Sequence, residues 1–332
     1  MLGRRRPHHA FREHSRLRRA RSGRAGQPAV RDSQAGAGRR ARGACGSRSV
    51  SAPAPLELQV YLSPAHPLGG GRTFSPVTST LILGREEAVL VDAQFVHEDI
   101  EAVAAMIDGS GRRLTTIFIT HGHADHYFGI DRLVARFPGV AVVATPGVVE
   151  YIEANHAREV KTLAAMMGDR AAVPTSRPTP LDEPTIRLEG EELRVIEVGQ
   201  ADIAPSTVLH VPSLDAVITG DVTYNGIHQM LGLTGPEQWR KWIESVDAVE
   251  ALGPRIVVAG HKRPGLGDDE PARILDETRS YIRDFAAAAA CATSPSEIVE
   301  AMIASYPEHG NVTTLHFSAQ AAIKARLAQV PG

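Results

Sequence analysis

Apolar and polar positions along the chain fall into short blocks of two kinds. Residues 56–62 (LELQVYL) alternate with period two, as a half-buried strand does. Residues 77–83 (VTSTLIL), 88–91 and 115–120 (TTIFIT) are apolar and rich in β-branched residues, and predict buried strands. Helical spacing appears at 97–107, which ends at Asp108-Gly109, and at 127–137, which is stopped by Pro138-Gly139. Residues 140–144 (VAVVA) predict another buried strand, and 147–168 another helix. Residues 170–184 carry four prolines and read as a connector between two halves.

The second half repeats the theme. Residues 185–188 and 193–198 predict a hairpin ending at Gly199-Gln200-Ala201-Asp202. Strands follow at 206–211 and 216–219, the latter closing on Gly220-Asp221. Residues 236–252 form an amphipathic helix with proline near its start and Gly253-Pro254 after its end; Trp239 and Trp242 read as core anchors on it. Residues 256–259 predict the last buried strand, which ends in Gly260-His261. Helices are expected at 271–290, after a Ser294/Glu297 capping box, and at 315–329. These last helices are expected to form a cap or a homodimer contact. Two runs of strands, each closed by helices, define an α/β protein.

Composition divides the chain differently. Residues 1–50 hold fourteen arginines and two acids, whereas the remainder holds 22 basic and 36 acidic residues. Residues 1–55 have too little apolar side chain to offset chain entropy and are expected to be a disordered tail. That tail reads as a basic arm, a transit peptide or a secretion signal lacking an apolar core. A start codon assigned too far upstream explains it best. The acidic body argues against a nucleic-acid partner. No apolar run reaches the ~18–20 residues that span a bilayer. Two cysteines, Cys45 and Cys291, make no disulfide framework and point to a reducing, cytoplasmic setting. The expected domains are the tail at 1–55, a main body at 56–290 and a helical extension at 291–332.

The chemistry concentrates in His121-Gly122-His123-Ala124-Asp125-His126, directly after the strand at 115–120. Imidazole and carboxylate are ligands for zinc or a similar transition metal. Residues two apart on an extended loop point the same way, so His121 and His123 are placed to share one ion. Asp125 and His126 turn toward a second.

This string resembles the signature of the metallo-β-lactamase superfamily of metal-dependent hydrolases. The resemblance covers about residues 77–261 and implies a four-layer αββα sandwich with a C-terminal helical extension. It assigns Asp92 to an upstream aspartate that orients the metal loop, Asp221 to a metal-bridging aspartate and His261 to the final histidine ligand. It places Gln200 where the family has a histidine. Gln200 would then be a weak metal ligand through its amide oxygen, or a residue that faces the substrate. The implied cofactor is zinc, one or two ions per chain, with other divalent metals open. The implied activity is hydrolysis of a small-molecule ester, lactone, thioester or β-lactam by metal-bound hydroxide. Asp125 then serves both as ligand and as proton carrier. Tyr224, Asn225, His228, Lys262 and Arg263 are candidate substrate contacts by their nearness to Asp221 and His261 in the chain. A mononuclear iron oxygenase on the same fold and a non-catalytic metal-binding relative are the alternatives.

Overall fold

Leu81 and Ile82 are neighbours on one fully buried strand, yet they belong to different hydrophobic layers. Successive side chains of a strand point to opposite faces, so a strand buried along its whole length must be covered on both sides. A computed structural model describes residues 56–328 and shows what covers it. The basic tail at 1–55 lies outside the described residues.

The first half contains β1 (Glu57–Leu62), β2 (His66–Gly69), β3 (Arg72–Phe74), β4 (Thr78–Leu83) and β5 (Glu87–Val91). Then follow α1 (His97–Ser110), β6 (Arg113–Phe118), α2 (Ala124–Tyr127), α3 (Ile130–Arg136), β7 (Ala141–Ala144) and α4 (Pro146–Met167). The second half contains β8 (Thr179–Pro180), β9 (Thr185–Leu188), β10 (Glu191–Gly199), β11 (Ser206–Val211) and β12 (Ala216–Asn225). It closes with α5 (Pro236–Glu250), β13 (Ile256–Lys262), α6 (Pro271–Cys291), α7 (Pro295–Ser305) and α8 (Val312–Ala328).

A six-stranded sheet has the order β1-β4-β5-β6-β7-β8, and a five-stranded sheet the order β13-β12-β11-β10-β9. Three hydrophobic layers separate four layers of structure. Leu81, Leu90 and Ile117 face α1, α3 and α4. Ile82, Val89 and Phe118 instead meet Leu193, Leu209, Ile218 and Val258 of the second sheet. Val208, Val217 and Val222 face Trp242, Tyr281 and Phe285 on the far side. Leu315, Ala319 and Ile323 of α8 belong to that same cluster, so the C-terminal helices complete the outer core of the second sheet. The architecture is thus αββα with added C-terminal helices.

Three local details differ from the periodicity. The helix expected over 127–137 is two helices, broken at Gly129. A Cβ there would lie 2.0 Å from the Ala93 carbonyl, so the chain must turn where Gly129 fits. The Gly69–Gly71 turn joins a short hairpin, β2–β3, that lies apart from both sheets. Its base is held by His66 Nε2, 2.6 Å from Asp99 Oδ2. Thr73 N at its far end donates to Thr313 Oγ1 of α8, at 3.0 Å. Finally, β12 continues through Asp221 to Asn225 instead of ending at Thr219, with all ten residues buried.

Candidate metal centre

The loop after β6 is held from both sheets. Asp92 follows β5 with φ 61°, a left-handed conformation that aspartate tolerates better than most residues. Its buried carboxylate accepts from Thr120 N at 2.9 Å, from Thr120 Oγ1 and from His126 Nδ1 at 2.7 Å. From the second sheet, Thr207 N and Oγ1 both donate to the Thr120 carbonyl, at 3.1 and 2.6 Å. Close approach also depends on Gly260, where a Cβ would stand 2.3 Å from Asp221 Oδ1.

Two groups of side chains offer ligand atoms close enough to share an ion. His121, His123, Asp202 and Asp221 form one; Asp125, His126 and His261 form the other. Asp221 stands between them. Its Oδ1 is 3.1 Å from His126 Nε2, and its Oδ2 is 3.2 Å from His261 Nε2 and 3.9 Å from His121 Nε2. Asp125 Oδ2 lies 3.6 Å from His126 Nε2 and 3.5 Å from His261 Nε2.

The donor set fits a metal on a specific ground. His121 Nε2, His126 Nε2, Asp202 Oδ2 and Asp221 Oδ1 are all buried and make no hydrogen bond. Buried polar atoms are rarely left unpartnered. Asp202 Oδ2 is 2.8 Å from His123 Nδ1 without hydrogen-bond geometry, as expected of two ligands aimed at a common point.

The imidazoles are oriented from behind. Asp92 and the Pro76 carbonyl can only accept, so His126 Nδ1 and His261 Nδ1 (2.7 Å from Pro76 O) must carry the proton. Nε2 of each ring then faces the site, the arrangement typical of metal-bound histidines. His121 is held neutral, its pKa well below the usual value, by burial and by the neighbouring His126. Burial also works against charge on His123, but the Asp202 carboxylate outweighs it and lifts the pKa to about 9. His126 and His261 are raised in the same way by Asp125 and Asp221. Cations are thus favoured among these carboxylates, and a metal bound there would take the place of the protons. Tyr224 stays a neutral phenol through burial and the adjacent Asp221, to whose Oδ2 it donates at 2.8 Å.

Several residues stand elsewhere than the sequence suggests. Gln200 does not line the central cavity; its amide nitrogen donates to the Ala201 carbonyl at 2.9 Å. Asp202 stands at His123 instead. It belongs to the same strand-end stretch, and a carboxylate is the more usual metal ligand than an amide. Among the five candidate substrate contacts, Tyr224 lines the cavity and the other four do not. Asn225 is bound to Gly267 and Arg273, and His228 is buried against Tyr281. Lys262 Nζ pairs with Asp268 at 2.6 Å, and Arg263 with Glu308 at 3.2 Å. Each of these four makes a polar contact with a residue that does not line the cavity.

An αββα sandwich with clustered imidazoles and carboxylates at one sheet edge defines a class of metal-binding proteins. A family model of the metallo-beta-lactamase superfamily matches residues 72–261, and the chain belongs to that superfamily. Among solved structures, a metallo-beta-lactamase family protein from Thermus thermophilus is 18% identical with a TM-score of 0.56. The match covers 81% of this chain and 93% of that one. DIM-1 metallo-beta-lactamase is 19% identical with a TM-score of 0.52, covering 70% and 98%. A shorter stretch of 57 residues is 46% identical to a hydroxyacylglutathione hydrolase of Stenotrophomonas maltophilia (strain R551-3). It covers 17% of this chain and spans a fifth of that relative's length. Among the described residues, no helix is long and apolar enough to cross a membrane.

Proposed function

We propose that the protein is a zinc-dependent hydrolase that cleaves a carbonyl ester, thioester, lactone or β-lactam. One observation carries this reading. Seven imidazole and carboxylate side chains form two adjoining ligand groups beside a cavity of about 1110 Å³, and four of their buried atoms have no partner. His121, His123, Asp202 and Asp221 would hold one ion, and Asp125, His126, His261 and Asp221 the other. A bound zinc ion supplies a Lewis acid and lowers the pKa of its water toward ~7.

The remaining work falls to the chain. Asp125 lines the cavity, where it accepts the proton of the attacking water and returns it to the leaving group. The water oxygen joins the carbonyl carbon, and the bond to oxygen, sulfur or nitrogen breaks. The products are a carboxylic acid and an alcohol, thiol or amine. Tyr224 holds Asp221 from the side away from His126, and its ring stacks on His261 at 5.3 Å.

The test is a panel of esters, thioesters, lactones and β-lactams assayed with zinc-loaded protein. Turnover abolished by chelation and restored by zinc supports the reading; no turnover with any of them refutes it.

His121, His123 and Asp202 also favour a second reading. Two histidines and one carboxylate are the ligand set of non-haem iron oxygenases. Iron retained on aerobic purification, with oxygen consumed in turnover, would select it. Two adjoining ligand groups with Asp221 between them, where a mononuclear site needs only one, make the hydrolase the better account.

A further inference from the structure

The cavity above the candidate metal centre is far larger than a scissile carbonyl requires. At about 1110 Å³ it lies just above the usual range of small-molecule sites, ~300–1,000 Å³. Its walls come from the β2–β3 hairpin, α4, the loop before α5 and the first turns of α8. Four large apolar side chains are left open to solvent on those walls: Met166 (38%), Leu233 (51%), Val312 (37%) and Phe317 (45%). The described residues include seven such exposed side chains, so more than half gather at this one place. Scattered exposed apolar residues are ordinary, whereas a contiguous group beside a cleft marks a binding surface.

The wall is also built to stay in place. The Phe317 ring lies directly over Gly232, where a Cβ would be 2.7 Å from the ring. The hairpin is tied to α8 by Thr73 and Thr313 and to α1 by His66 and Asp99. Of the two arginines that line the cavity, Arg72 donates to the Gly69 carbonyl, and Arg158 on α4 is engaged by Tyr151 Oη at 2.9 Å and Glu159 at 3.2 Å. The Arg158 charge is therefore answered within the protein.

We infer that the substrate carries an extended apolar arm, an aliphatic or aryl acyl group. The arm lies against Leu233 and Phe317 while the carbonyl reaches Asp125 and the ligand groups below. This inference rests on the hydrolase reading for its chemistry and on the chamber for its substrate class. The C-terminal helix α8 thereby becomes part of the substrate site.

The experiment uses the full chain loaded with zinc and p-nitrophenyl acetate, butyrate, hexanoate and octanoate. kcat/KM should rise about threefold to fourfold per methylene until the arm is filled, the value of burying each CH₂ group. In Phe317→Asp and Leu233→Asp the losses should grow with chain length, to about tenfold or more for octanoate. Ile303→Asp, which alters an exposed apolar residue outside the chamber, should keep the wild-type slope. Zinc content and thermal unfolding check that each variant is folded and loaded.

Calorimetric titration with sodium octanoate and sodium acetate reads the chamber without turnover. A flat ester series with brisk acetate hydrolysis overturns the apolar arm and leaves the hydrolase reading standing. No ester turnover, but octanoate bound more tightly than acetate and that preference lost in Phe317→Asp, supports the arm and counts against the hydrolase. Equal binding of both anions overturns the arm. So does a Phe317→Asp variant that splits a dimer while keeping the wild-type chain-length slope, because a second copy then covers this face.

Discussion

Asp92 Oδ2 sits 2.7 Å from His126 Nδ1, behind the imidazole whose Nε2 faces Asp221 at 3.1 Å. The same carboxylate takes both the backbone and the hydroxyl of Thr120. One buried charge therefore sets the tautomer of His126 and the path of the loop that carries it. Asp92→Ala should lower metal affinity about 10–100-fold, the usual effect of removing such a partner. Competition against a chromophoric chelator measures it; unaltered affinity would show that the loop holds its shape without Asp92.

Asp202 and Gln200 make opposite predictions. Protein purified without chelator should carry about two ions per chain, as a two-metal site does. Asp202→Ala should lose about one of them, whereas Gln200→Ala should lose none, because Asp202 lines the cavity beside His123 and Gln200 lies outside that lining. Elemental analysis of the three proteins decides. If Gln200→Ala loses the ion and Asp202→Ala keeps it, the assignment to Asp202 is wrong.

Asp125→Asn keeps the side-chain shape and one oxygen donor but cannot take up a proton as a base. Once a substrate is found, its kcat/KM should fall by roughly 100-fold or more, the usual worth of a positioned proton carrier. Metal content should stay near the wild-type value. Full turnover in this variant would remove Asp125 from the proton path.

His228 gives a pH dependence away from the ligand groups. Burial pushes its pKa down to about 4, with His309 and His316 adding like-charge repulsion; the Tyr281 hydroxyl lies 3.0 Å from its Nδ1. A histidine titrates near ~6.5 when unfolded, so below that pH the unfolded chain takes up a proton that the folded chain refuses. The stability it supports is complete above about 6.5 and is lost as pH falls toward 4. The loss amounts to about 3 kcal/mol at most. Urea unfolding at pH 7 and pH 4.5 should show wild type losing about 2 kcal/mol more than His228→Asn. Equal losses would mean that His228 is solvated in the folded state.

The layers and the ligand loop were legible in the chain alone. Strands at 77–83, 88–91 and 115–120 could be read because burial on both faces demands unbroken apolar runs, and the histidine string because its ligands are adjacent in the chain. The Ser294/Glu297 cap was legible for the same local reason, with Glu297 N donating to Ser294 Oγ at 3.4 Å. That Asp202, not Gln200, meets His123 emerged only on folding. The β10–β11 register slips between Glu197 and Gly199, and Gly199 has φ 92°. A period-two reading cannot be carried across such a bulge. Packing likewise settled which neighbours of Asp221 and His261 face the cavity: Tyr224 does, while Asn225, His228, Lys262 and Arg263 are engaged elsewhere. The chamber itself joins a hairpin near residue 70 to a helix that begins at Val312. No local pattern encodes that contact, because it forms when distant elements pack on one sheet edge.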